Sequence, residues 1–108
     1  MAARQPVVEI LYFDGCPNHE AAQELFERVA SEVAVSPDVR LVKVEDQEAA
    51  TRERFLGSPT IRVDGRDVEP GADQRTDFVL SCRVYRTKDG LAGQPDAAWL
   101  RQALEASV

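Results

Sequence analysis

Residues 7–13, VVEILYF, are apolar but for Glu9, the pattern of a central strand covered on both faces. After the corner GCPN, residues Ala22, Leu25, Phe26, Val29, Ala30 and Val33 recur at three- and four-residue spacing, with Glu20, Glu24, Glu27, Arg28 and Glu32 between them. That period predicts an amphipathic helix, closed by the SPD turn at residues 36–38. Residues 39–45, VRLVKVE, alternate with Val42 and Val44 on one side and predict a second strand, and residues 46–56 predict a short helix with Gly57 as its C-cap. SPTIRVDG then sets Ile61 and Val63 on one face of a third strand, and Asp64 and Gly65 form a two-residue hairpin signal that leads into a return strand. Residues 68–77 mix Pro, Gly and charge without a period and read as an irregular loop. FVLSCRVYR, residues 78–86, resumes strand character, and residues 88–93 turn the chain again. From Pro95 onward, Trp99, Leu100, Ala103 and Leu104 share one face of a last helix that starts at Pro95 or Asp96.

The order β-α-β-α-β-β-α implies an α/β fold. A helical crossover joins the first two strands in parallel and a hairpin supplies an antiparallel edge, giving a four-stranded mixed sheet flanked by helices. A chain of 108 residues suits one domain spanning residues 1–108. Tyr12, Phe13, Phe26 and Trp99 are expected to face its core rather than a cofactor. No apolar run approaches the roughly 20 residues needed to cross a bilayer, and MAARQP has no signal-like apolar region. These features predict a cytoplasmic protein with no membrane partner. The formal charge is −6, with 13 basic residues scattered among 19 acidic ones, so no basic face is available for nucleic acid. The acidic pairs Glu45 and Asp46, and Asp73 and Asp77, flank loops and read as solvated. Neither a phosphate-cradling glycine loop nor a serine nucleophile elbow occurs, which removes nucleotide and hydrolase chemistry.

The chemistry rests on two cysteines, Cys16 and Cys82, too few for a secreted disulfide scaffold. Cys16 falls at the joint between the first strand and the first helix. A thiol in a first helical turn meets unpaired N–H groups and the positive end of the helix dipole, both of which favour thiolate. Pro17 suits the first helical position, because its missing N–H needs no partner there. His19, three residues on, is within a helical turn of the sulfur and would stabilise the anion if protonated; the alternative is a simply solvated histidine. Cys16 itself reads as a reactive thiol, an inert packed cysteine or a metal ligand. Cys16, His19 and Cys82 would give zinc three ligands where a structural site wants four, so no metal is expected, although one or two thiolates suffice for mercury.

The order of elements is that of the thioredoxin fold, and particular motifs extend the similarity over nearly the whole chain. YFDGCPNHE, GSPTIRVDG and SCRVYRTKDG resemble a group of small bacterial thioredoxin-like proteins also labelled as relatives of alkylmercury lyase. The resemblance implies that Pro59 is the cis proline facing the active-site cysteine. It also implies that the backbone of Ser58 pairs with a bound peptide or glutathione, with Pro17 and Thr60 completing the substrate groove. Thioredoxins carry Cys-x-x-Cys, whereas this chain reads Cys16-Pro17-Asn18-His19. The partner in a thiol exchange is therefore an outside thiol such as glutathione, or Cys82. In the plain fold Cys82 is expected toward the far end of the sheet from Cys16, and a disulfide needs Cα atoms within about 7 Å. Direct pairing and a packed strand cysteine both stay open.

Three functions follow. The first is a thiol redox protein, with or without enzymatic turnover as a monothiol oxidoreductase, in which Cys16 attacks a protein disulfide, glutathione or a small thiol-reactive molecule. The second is a non-enzymatic binding module that uses the groove beside Pro59. The third is a mercury or organomercurial handler, for which Asp14 is the candidate proton donor. No cofactor is expected in any of them.

Overall fold

A computed structural model of the chain describes residues 5–107; residues 1–4, and with them most of the MAARQP segment, lie outside it, as does residue 108. Strand β1 (Val7–Tyr12) pairs in parallel with β2 (Asp38–Lys43) and antiparallel with β3 (Thr60–Val63). A short β4 (Arg66–Asp67) extends the far side, so the order is β2-β1-β3-β4. The described residues thus form a mixed α/β fold with a four-stranded mixed sheet and three α-helices, α1 (His19–Glu32), α2 (Gln47–Arg52) and α3 (Ala97–Ala106). Among the described residues no helix is long and apolar enough to cross a membrane.

The apolar run of β1 is explained by its central place. Val8 and Ile10 pack with Phe26, Val29, Leu100 and Leu104 on the face covered by α1 and α3, while Leu11 packs with Val44, Ala49, Ala50 and Phe55 on the face covered by α2. Full burial of each such side chain contributes about 1.5–3 kcal/mol. The β3–β4 turn falls at Asp64 and Gly65, both at positive φ (51° and 86°), as a two-residue I′ turn requires.

Both α1 and α2 end without glycine. In α1, Val35 N–H reaches the Ala30 carbonyl at 3.0 Å and Ala34 N–H the Ser31 carbonyl at 3.2 Å, with Ala34 at φ 57°. This is a Schellman closure, and it stops the helix before the SPD turn. The end of α2 repeats it with Arg54 at φ 55°, where Phe55 N–H reaches the Ala50 carbonyl at 2.8 Å. The predicted helix over residues 46–56 is accordingly shorter, and Gly57 is not its cap. The start is as expected of Asp46, whose carboxylate accepts the Ala49 N–H at 2.8 Å.

The largest departure concerns residues 78–86. They do not form a strand of the main sheet: only Tyr85–Thr87 (β5) is a regular strand, and it pairs with Gly90–Ala92 (β6) in a separate two-stranded hairpin. The element order therefore has two more strands and a 3₁₀ turn (Ala72–Gln74) than β-α-β-α-β-β-α allows. The cause is Arg83. It is 3% exposed while its apolar neighbour Val84 is 61% exposed, the reverse of what hydrophobic alternation predicts.

Candidate thiol site

Cys16 sits ahead of α1, not within it. Asn18 is the N-cap and His19 the first helical residue, while Cys16 N–H closes a turn onto the Phe13 carbonyl at 3.1 Å. The exposed Pro17 therefore precedes the helix instead of opening it. The helix still meets the sulfur, because the Asn18 N–H donates to Cys16 Sγ at 3.4 Å. Cys16 Sγ in turn donates to the Ser58 carbonyl at 3.4 Å, and the residue is 4% exposed.

His19 is close to Cys16 but does not address its sulfur. Its ring stacks on Tyr12 with centroids 4.4 Å apart, and Nδ1 lies 3.1 Å from the Cys16 carbonyl oxygen. The expected contact with the thiol is replaced by one with the main chain, since a ring held against Tyr12 cannot also swing toward the sulfur. Tyr12 is correspondingly half-buried at the site and not a core residue.

Opposite Cys16 stands the step Ser58–Pro59, whose peptide bond is cis. The resemblance implies a Ser58 backbone free to pair with substrate, but the structure fills it with the chain itself. Ser58 N–H donates to the Ser81 carbonyl at 2.8 Å, and Arg83 N–H donates to the Ser58 carbonyl at 2.8 Å. Ser58 and Cys82 thereby form a parallel β-bridge. Cys82 is consequently not at the far end of the sheet: it stands beside Cys16, exposed where Cys16 is buried. Desolvation of its sulfur, then the hydrogen bond and charge of the Cys16 sulfur, push the Cys82 thiol up.

Thr60 is fully buried and also committed, donating to the Gly57 carbonyl at 2.6 Å and accepting from Arg83 Nη1 at 3.0 Å. It supports the segment carrying Cys82 and offers no side-chain oxygen to a substrate. Ser58 Oγ is buried with no hydrogen-bond partner among the described residues. Asp14 is exposed and pairs with Lys43 at 2.7 Å, a hydrogen bond that raises the Lys43 pKa. Among the described residues no three His, Cys, Asp or Glu side chains gather to hold a metal ion. A cavity of about 720 Å³ opens between β4, the loop after it and α3, bordered by Arg66, Glu69 and Trp99, and neither cysteine lines it.

Sequence reasoning missed the residues that bring Cys82 to Cys16. Arg83 Nη1 and Nη2 reach Asp67 and Glu69 at 2.7 Å each, and the guanidinium lies 4.3 Å from the Tyr85 ring centre. Burial opposes the Arg83 charge, but Tyr85 and the Asp67 and Glu69 carboxylates outweigh it and raise its pKa. Burial likewise pushes the Tyr85 phenol up, so it stays a neutral donor to the Pro59 carbonyl. Gln47 holds the segment's other end: Nε2 donates to the Phe78 carbonyl at 3.0 Å and Oε1 accepts the Leu80 N–H at 3.1 Å. The one available signal was a lone arginine between apolar residues, downstream of acidic residues in an irregular loop.

No protein-family model matches the chain, and no curated protein matches it.

Proposed function

We propose that this is a thioredoxin-like thiol redox protein whose working pair is Cys16 and Cys82. The observation that carries the reading is the convergence of both cysteines on Ser58: Cys16 Sγ bonds its carbonyl at 3.4 Å, and the main chain at Cys82 is its partner in the β-bridge. The β2-β1-β3-β4 order supports the fold assignment, with a parallel crossover through α1 and a thiol at the β1–α1 joint facing the step before β3.

In this reading Cys16, as thiolate, attacks one sulfur of a disulfide. The S–S bond breaks, and the departing thiolate takes a proton from solvent. The Asn18 N–H directed at the Cys16 sulfur faces the charge when the thiol ionises. Cys82 then loses its proton to solvent and attacks the Cys16 sulfur of the mixed disulfide, releasing the second substrate thiol. Two protein thiols become one disulfide, and one substrate disulfide becomes two thiols. An outside thiol such as glutathione reverses the steps and restores the pair.

A packed, unreactive Cys16 is the second reading, favoured by its 4% exposure. Diamide oxidation followed by alkylation and peptide mapping separates the two. The redox reading expects a linked peptide pair containing Cys16 and Cys82, and both thiols lost to alkylation. Retention of two alkylatable thiols after diamide would leave the packed reading standing.

A further inference from the structure

A strand edge beside a reactive sulfur is where an extended peptide adds itself by main-chain hydrogen bonds. In this protein that edge is already taken. Residues 78–83 run along residues 55–58, with Val79 N–H on the Phe55 carbonyl at 2.9 Å, Ser58 N–H on the Ser81 carbonyl and Arg83 N–H on the Ser58 carbonyl, each at 2.8 Å. Gly57 allows the approach: at φ 116°, a Cβ there would stand 2.9 Å from Arg83 Cβ and 3.1 Å from the Ser81 oxygen. Buried Arg83 pins one end of the segment, and the Gln47 amide clips the other by both its oxygen and its nitrogen.

We infer that residues 78–83 are a built-in occupant of the docking edge, so that the Cys16–Cys82 pair exchanges with low-molecular-weight disulfides and excludes disulfides carried in extended protein segments. The inference rests on the dithiol reading above and adds its substrate class. Cys82 lies on this segment, bridged to Ser58 beside Cys16, and an incoming peptide would have to displace two main-chain hydrogen bonds at Ser58 to pair with the same edge. A small disulfide needs no such pairing. The exchange balances as before, two protein thiols and one small disulfide giving one protein disulfide and two small thiols.

The test mixes the reduced, full-length protein with oxidised glutathione or with insulin and counts the Cys16–Cys82 disulfide by mass spectrometry after acid quenching. Each rate is divided by that of free dithiothreitol with the same disulfide, which removes intrinsic differences between the two. The expected normalised rate with glutathione exceeds that with insulin by roughly tenfold or more, the scale set by the two hydrogen bonds at Ser58. Gln47→Ala, which loosens the segment at the end away from Arg83, should raise the insulin rate relative to the glutathione rate. Equal normalised rates in the native protein, or a Gln47→Ala variant that changes both rates alike or neither, would overturn the inference.

Amide hydrogen exchange reads the strap without any redox step. In a Cys16→Ser, Cys82→Ser double variant the Ser58 and Arg83 amides should be protected, and adding Gln47→Ala should reduce that protection. Unprotected amides would sink the strap alone. Failure of diamide to link the cysteines, with the amides protected, would sink the dithiol reading and with it the assigned substrate.

Discussion

Cys82 lies opposite Ser58 in a parallel bridge, so a residue 66 positions from Cys16 along the chain is paired with the very residue whose carbonyl accepts the Cys16 thiol. Two unlike thiols result, one buried and accepting a helix-start N–H, the other exposed and carried on a segment anchored by a buried arginine. The asymmetry makes the two sulfurs respond differently to mutation of their surroundings.

Cys82 should need a higher pH for alkylation than an ordinary thiol, because desolvation and then the Cys16 sulfur raise its pKa. The folded value lies above the unfolded one, so the associated stability is fully present below the unfolded value of about 8.5 and is lost as pH rises through the folded value. Cys16→Ser removes the second and third causes but not the desolvation. Its Cys82 alkylation profile should therefore move down in pH without falling below that of an unfolded control. A profile identical to the native one would mean that the sulfurs do not interact.

His19→Phe should leave the pH profile of thiol alkylation unchanged. The ring stacks on Tyr12 and Nδ1 contacts the Cys16 carbonyl, so phenylalanine keeps the stack and loses one hydrogen bond of about 1 kcal/mol. Iodoacetamide kinetics on the variant check this, with thermal denaturation measuring the small stability loss. A profile displaced to higher pH in His19→Phe would restore the direct role that its spacing from Cys16 suggests.

Arg83→Met should destabilise the protein by about 3–5 kcal/mol, since it leaves Asp67 and Glu69 partly buried without their cation. It should also separate the thiols, lowering the yield of the Cys16–Cys82 disulfide under diamide even at temperatures where the variant stays folded. Urea unfolding and peptide mapping measure the two effects independently. A destabilised variant that still forms the disulfide in full would show that the bridge at Ser58 holds without its anchor.

The central sheet was legible because its signals are local or periodic. The run at β1, the three- and four-residue spacing of α1 and the Asp64–Gly65 turn each depend on neighbouring residues, and all appear where expected. The joint at Cys16 and its facing step before β3 were likewise visible as Cys-Pro and Ser-Pro-Thr motifs. The position of Cys82 was not, because it is set by pairings between residues far apart in the chain. Arg83 must find Asp67 and Glu69, and Gln47 must find residues 78–80, 31 or more positions away. Hydrophobic alternation over residues 78–86 points to a sheet strand, and one buried ion cluster overrides it.

Glycine placement gives the last prediction, since the helix ends and the strap use positive φ in opposite ways. The α1 end uses Ala34 at φ 57°, where an alanine is strained by about 1 kcal/mol, so Ala34→Gly should stabilise the protein by up to about that amount. Gly57, which composition suggests as a helix cap, instead lies at φ 116° with Arg83 Cβ and the Ser81 oxygen against it. Gly57→Ala adds backbone strain of about 1–3 kcal/mol and a contact with a neighbour that cannot retreat, because Arg83 is pinned by its ion pairs. Chemical denaturation should move in opposite directions for the two variants. Only Gly57→Ala should also speed exchange of the Arg83 amide, because the methyl group pushes on the segment that this amide ties to Ser58. Equal and small effects at both sites would mean that residues 78–83 do not press on Gly57.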